Sequence, residues 1–323
     1  MTLFAYGLAN QGGSISELSG DIQTVSNIET NNSWLIYEAW ANIPITSIKS
    51  SLLVGLYDLN SEFDVINTGG LFLNSSHGIG PDFSSSGITG PSIFPITSLA
   101  ARLKINLISG ITLKAAILDA VPSDSKNITG TRVRIRESEG SLMIGEISWY
   151  QQQDAGQSTD RGVNEASPFR VVAGLWRYSE QRMGWDGDLE LDAGFYVIAE
   201  ARIYSEKLNA DQGLSLFGRF GVGNDEINQF ANYVGAGFVY SGLFAGRDVD
   251  QFGVAFSLPM NGDPYLENTG QFFADEFITE ISYLWQISGA FSLQFDIQYI
   301  ANPNQAVKLN DAIVVGLRSS IAF

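Results

Sequence analysis

The chain has 323 residues, no cysteine and a formal net charge of −17. Disulfides and thiolate metal sites are excluded, and no basic surface is available to neutralise nucleic-acid phosphates. Hydrophobic residues make up 45%, aromatics 12% and charged residues 16%, which is too apolar and aromatic for a disordered chain.

No apolar run reaches the roughly 18 residues a spanning helix needs, but a closed β-barrel also satisfies its backbone in lipid. What recurs is apolar alternation over about ten residues, broken by clusters of Gly, Asn, Asp, Ser and Pro. Met1 and Thr2 lead straight into such a segment with no basic leader. An exported chain of this kind is expected to have been processed, re-started or truncated.

In chain order the strands are predicted near 2–9, 34–42, 50–58, 97–107, 111–119, 140–151, 169–178, 191–203, 211–222, 229–241, 248–258, 276–288, 290–300 and 311–323. The predicted class is all-β, a transmembrane antiparallel up-and-down barrel of about 14 strands. An even count puts both termini on the periplasmic side. The connections at 43–49, 108–110, 204–210, 242–247 and 288–290 are short, as periplasmic turns are. Those at 10–33, 59–96, 120–139, 179–190, 259–275 and 301–310 are longer, as external loops are. Two connections break the rule: 152–168 is long for a turn and 223–228 is short for an external loop. Neither linkers nor a fixed-period repeat divide residues 1–323, so one domain is expected.

The polar face of each strand marks the lumen. On 34–42, turning Glu38 inward also turns Trp34, Ile36 and Trp40 inward, and on 50–58 Tyr57 points in. Leu99, Ala101, Leu103, Ile105 and Leu107 face out, against Arg102, Lys104 and Asn106. Ile281, Tyr283, Trp285 and Ile287 oppose Glu280, Ser282 and Gln286. Phe291, Leu293, Phe295, Ile297 and Tyr299 oppose Ser292, Gln294, Asp296 and Gln298. In the last strand Ile313, Val315, Leu317, Ile321 and Phe323 lie opposite Arg318. Glu146, Glu200, Arg202 and Arg219 are further inward charges, and Arg–Glu pairs across a lumen would set up a transverse field. A soluble half-buried strand alternates in the same way. Small residues beside charges on one face, and aromatics near strand ends on the other, favour lipid.

The 59–96 connection is long enough to be functional or disordered. Folded into the pore, it would place Asp58, Asn60, Glu62, Asp64 and Asp82 at a constriction; folded outward, it would cap the barrel. His77, the single histidine, lies in this loop with no nucleophile beside it, and GIG at 78–80 lacks the lysine of a phosphate loop. Asp186, Asp188, Glu190 and Asp192 alternate as Ca²⁺ ligands or as a solvated rim; neither metal nor cofactor is assigned. NSS at 74–76 and NIT at 127–129 match a glycosylation triplet of no relevance to a bacterial barrel.

Several stretches resemble the carbohydrate-selective porin family, often called OprB. They are YGLANQGGSISELSGDIQTVSNIE at 6–29, YEAW at 37–40, GLYDLNSEFD at 55–64, LFLNSSHGIGPDFSSSG at 71–87, GPSIFP at 90–95, LQFDIQYIANPN at 293–304 and GLRSSIAF at 316–323. The resemblance is densest over the first hundred and last thirty residues. It implies a sixteen-stranded, sugar-conducting barrel in the bacterial outer membrane, with Phe323 resembling the terminal signal read by the barrel-assembly machinery. The signal and the strand pair that the family places before YGLANQGG are not found here.

The expected function is passive diffusion of small sugars through a water-filled pore. The partners are then sugar solutes and outer-membrane lipid, without nucleic acid. A structural or adhesive barrel, or a non-conducting family fragment, is the alternative. An outer-membrane enzyme would need an acid/base set that one loop histidine does not supply.

Overall fold

In a computed structural model the described residues are 1–46, 49–108, 110–122, 130–131, 133, 135–151, 169–206, 211–270, 274–305 and 309–323. The long connection expected at 152–168 and the triplet at 127–129 lie outside them.

The strands are β1 Thr2–Asn10, β2 Ser33–Ile45, β3 Ser50–Tyr57, β4 Ser98–Ile108, β5 Ile111–Asp119, β6 Ser141–Tyr150, β7 Phe169–Met183, β8 Leu189–Ser205, β9 Gly213–Gly223, β10 Phe230–Ser241, β11 Gln251–Asn261, β12 Phe277–Ser288, β13 Phe291–Ala301 and β14 Ala312–Ile321. They form one sheet in sequence order. Each paired neighbour is antiparallel, as at β13–β14, where Ile297 meets Val315 and Gln294 meets Arg318. Among the described residues no ladder joins β1 to β14. Among the described residues three short α-helices interrupt the connections: α1 Ser16–Ser19, α2 Pro81–Ser84 and α3 Asp263–Thr269.

Alternation becomes burial. On β13, Ser292, Gln294, Asp296, Gln298 and Ile300 are buried, whereas Phe295, Ile297 and Tyr299 are exposed. On β14, Val315 and Leu317 are 75% and 66% exposed. Exposed apolar side chains alternating with more buried ones in this way form a lipid-facing band.

Two expectations are corrected. Trp34 and Ile36 do not point inward with Glu38 and Trp40. The β1–β2 register pairs Tyr6 with Glu38 but Gly7 with Ile36, which leaves Tyr37 as an extra residue on β2. A bulge of this kind reverses the side-chain alternation beyond it. Trp34 and Ile36 therefore turn outward and are exposed, while Tyr37 is buried. The 179–190 loop is mostly strand: β7 and β8 continue as a hairpin, pairing Met183 with Leu189. This extension alternates weakly because it carries Glu180, Gln181, Arg182 and Glu190, and a hairpin that rises beyond the lipid needs no apolar face.

Candidate functional site: a loop held inside the barrel

The 58–97 connection lies within the barrel and is bonded to the wall from β2 round to β13. At its start Asp58 receives the Tyr37 hydroxyl at 2.6 Å and caps the following turn through Asn60 N–H at 2.9 Å. Glu38 accepts the Asp58 N–H at 3.2 Å and the Trp40 indole N–H at 3.1 Å. Burial pushes Asp58 up to about 6.

A ladder of ion pairs follows. Arg102 Nε lies 2.6 Å from Glu62 Oε2, and its Nη2 donates to Oε1 at 3.0 Å. Lys114 sits 2.5 Å from Glu146 and also donates to the Glu62 carbonyl. The other Glu146 oxygen accepts the Tyr196 hydroxyl at 2.6 Å and Asp64 N–H at 3.0 Å. Arg170 pairs with Glu200 at 2.5 Å, and Glu200 takes the Thr68 N–H at 2.6 Å.

At the centre Arg219 binds two loop carboxylates at once. Asp64 accepts from Nε at 2.7 Å and Nη2 at 2.6 Å, while Asp82 accepts from Nη1 at 2.6 Å and Nη2 at 3.1 Å. The guanidinium also lies over the rings of Tyr196 and Tyr233. Burial, together with the neighbouring acid Asp82, pushes Asp64 up to about 7 against the pull of Arg219. On the far wall Glu280 accepts Leu73 N–H at 2.6 Å and Asn74 N–H at 3.0 Å. Gln298 accepts from Asn74, and Gln294 donates to the Leu71 carbonyl. Asp192 accepts the Gly87 N–H at 2.6 Å, so it anchors the loop rather than joining an exposed acidic rim.

The backbone makes room for these contacts. A Cβ on Gly221 would stand 2.0 Å from Asp82 Oδ2, and one on Gly174 would stand 2.2 Å from the Tyr196 ring. Apolar packing seals the rest: Leu59, Phe63, Ile66, Phe72 and Phe83 of the loop share a buried cluster with wall residues from Leu53 to Ala255. His77 is buried in the loop with neither ring nitrogen hydrogen-bonded, and burial pulls it down to about 3.

The 11–32 connection also turns inward, at β12–β14. Val25 packs on Ile278 and Ile300, and Ser26 Oγ receives Arg318 at 3.0 Å. Glu276 accepts Ile22 N–H at 3.1 Å and Asn304 N–H at 2.8 Å. Burial pushes it up to about 7.

The residues singled out by sequence fall into two groups. Tyr57, Asp64, Asp82, Arg102, Glu146, Glu200, Arg219 and Asp296 are buried, in the loop or under it. Glu38, Trp40, Asp58, Asn60, Glu62, Lys104, Arg202 and Arg318 keep part of their surface open. Lys104 stands opposite Lys114 across the β4–β5 ladder and makes no ion pair among the described residues. Sequence reasoning missed Lys114, Arg170, Tyr196 and Tyr233. The first three share the parity of charged or buried inward neighbours, a signal that was available; the partner each one meets was not.

The family profile described as "Carbohydrate-selective porin, OprB family" matches residues 2–323. Porin B of Pseudomonas aeruginosa is 22% identical over 263 residues, which cover 71% of this chain and 56% of that protein. The chain thus spans little more than half the length of this relative. The high-pH structure of Pseudomonas putida OprB superposes with a TM-score of 0.78 at 17% identity, covering 93% of this chain and 76% of that one. The outer membrane channel DcaP of Acinetobacter baumannii gives 0.56 at 13% identity, covering 92% and 77%. At these identities the structures establish the fold.

Proposed function

We propose that this chain, which belongs to the carbohydrate-selective porin, OprB family, passes small sugars down their gradient through the hydrated part of its lumen. It is an outer-membrane β-barrel protein. The observation that carries the transport reading is the 58–97 loop, held inside a lipid-facing wall with partly open polar side chains around it. A porin needs a lining that exchanges hydrogen bonds with solute at little net cost. Glu38, Asn60, Glu62, Lys104, Arg202 and Arg318 supply such partners for hydroxyls, and Trp40 supplies a face for sugar C–H groups.

The buried set has a different role in this reading. Arg219, Asp64, Asp82 and Glu146 position the loop and set the bore, while the partly open set meets solute. The protein acts as one domain and performs no catalysis; its one histidine is sealed from solvent. Sugars and lipid are its partners.

The apolar cluster between loop and wall favours one other reading, a plugged structural barrel. Reconstitution in planar bilayers separates the two. Stepwise conductance from the folded, heat-modifiable protein supports transport, and electrically silent insertion supports the plug.

A further inference from the structure

Strand β7 carries a charge on the face that the barrel turns toward lipid. Trp176 and Tyr178 are 1% and 3% exposed on the inner side. Arg177 and Leu175 therefore stand on the outer side, and both are exposed. In register with Arg177 across the sheet are Met143 on β6, Ile117 on β5 and Ala193 on β8. From this level down to the periplasmic turns, the other outward residues of β5–β8 carry no charge among the described residues. Arg102, Arg170, Arg182 and Arg219 each meet a carboxylate, whereas Arg177 has no ion pair among the described residues.

The depth of this cation follows from its neighbours. Just beyond it the β7–β8 hairpin carries Glu180, Gln181, Arg182 and Glu190, so water begins there. Beside and below it Ile117, Leu175 and Phe195 are 50%, 65% and 45% exposed, so hydrocarbon begins there. An arginine on the lipid face costs about 2–4 kcal/mol at the bilayer midplane and about 0–1 kcal/mol near an interface. Arg177 thus stands at headgroup level on the side of the long connections, which is the outer leaflet.

We infer that Arg177 and the apolar residues around it form a docking site for a phosphate-bearing lipid of the outer leaflet. The guanidinium offers parallel N–H donors that match two phosphate oxygens. The acyl chains of the same molecule then lie along Ile117, Leu175 and Phe195. A free phosphate would gain only the first contact, and water and salt would screen it. A molecule with both parts meets both halves of this surface, which selects a lipid as the occupant. The inference rests on the outer-membrane setting and is independent of the transport reading.

The test uses the folded full chain in detergent and native mass spectrometry with dioleoyl phosphatidic acid. Dioleoylglycerol, with the same chains and no phosphate, and inorganic phosphate are the comparison probes. The wild type should bind the phosphatidic acid more tightly than the diacylglycerol, and equimolar inorganic phosphate should not displace it. Arg177→Gln should weaken phosphatidic acid binding by about five-fold or more and leave diacylglycerol binding unchanged. Arg177→Lys keeps the charge without the fork and should fall between the two. Arg136→Gln removes an exposed cation of the 120–139 connection that pairs with Glu139, and it should bind as the wild type does. Because Arg177 is exposed and unpaired, each variant should keep the heat-modifiable mobility of the folded protein. Unchanged phosphatidic acid affinity in Arg177→Gln, or an equal loss in Arg136→Gln, overturns the inference. Equal binding of the diacylglycerol by the wild type, or displacement by inorganic phosphate, overturns it as well.

Discussion

Arg219 on β9 holds Asp64 of the interior loop through two parallel bonds, Nε to Oδ1 at 2.7 Å and Nη2 to Oδ2 at 2.6 Å. Both side chains are shut off from solvent. The same guanidinium binds Asp82, so one wall residue fastens two distant points of the loop. One cation faces two acids, all three side chains buried, which makes the clamp intolerant of losing its single cation.

Arg219→Leu should therefore strand two buried carboxylates. Removing one partner of a buried pair costs about 3–5 kcal/mol, and the cheapest relief is for the loop to leave the wall. A lower unfolding temperature in detergent and a larger single-channel conductance are expected. Adding Asp64→Asn and Asp82→Asn should recover part of the stability. If Arg219→Leu keeps both the unfolding temperature and the conductance of the wild type, the clamp does not set the bore.

Gly221→Ala and Gly174→Ala probe the same loop from its backing. The added methyl meets the Asp82 carboxylate at 2.0 Å in one case and the Tyr196 ring at 2.2 Å in the other. Overpacking of this kind costs about 1–3 kcal/mol. Both variants should unfold earlier on heating, and Gly221→Ala should also alter conductance because Asp82 has to move. Gly145→Ala is the control, since nothing stands within 4 Å of its added methyl.

The lipid face was legible in the sequence wherever a strand kept strict alternation. Ser292 to Ile300 and Ile313 to Ile321 show this, because a period of two needs no partner to be read. It failed at Tyr37, where an extra residue opposite the Tyr6–Gly7 step reversed the parity and carried Trp34 and Ile36 outward. A bulge is a property of two strands together, and β2 alone does not reveal it. The acids of the loop were visible as Asp58, Glu62, Asp64 and Asp82, but their partners were not. Arg219 lies more than a hundred residues away along the chain and meets Asp64 only once the sheet has curled. Asp192 was grouped with its exposed acidic neighbours by spacing, while the fold separates it from them and gives it to Gly87.

Glu276 predicts a pH dependence with a definite sign. Burial raises it to about 7, above the roughly 4.3 of an unfolded glutamate. Between those values the folded chain holds more protons than the unfolded chain, so this group's contribution to stability falls as pH rises. Glu276→Gln is neutral throughout. Its unfolding temperature relative to wild type should climb between about pH 5 and about pH 8, whatever its offset. A relative temperature that stays level or declines over that range would mean that the amides of Ile22 and Asn304 hold the carboxylate charged.

Lys104 and Arg318 report on the open part of the lumen. Lys104→Glu and Arg318→Ala leave the loop clamp untouched and reduce positive charge at partly exposed inward positions. Both should shift zero-current potentials in a salt gradient toward cation preference, by more at low ionic strength where screening is weak. Heat-modifiable mobility on gels should stay that of the folded wild type. Unshifted potentials in both variants would take these residues out of the solute path.

The transport account is tested most directly by solute flux. Liposomes carrying the folded protein should swell in isosmotic glucose faster than protein-free liposomes, and faster than in an organic anion of about the same size. Swelling no faster than the protein-free control in any small solute would contradict a conducting lumen. Equal swelling in glucose and the anion would contradict sugar preference.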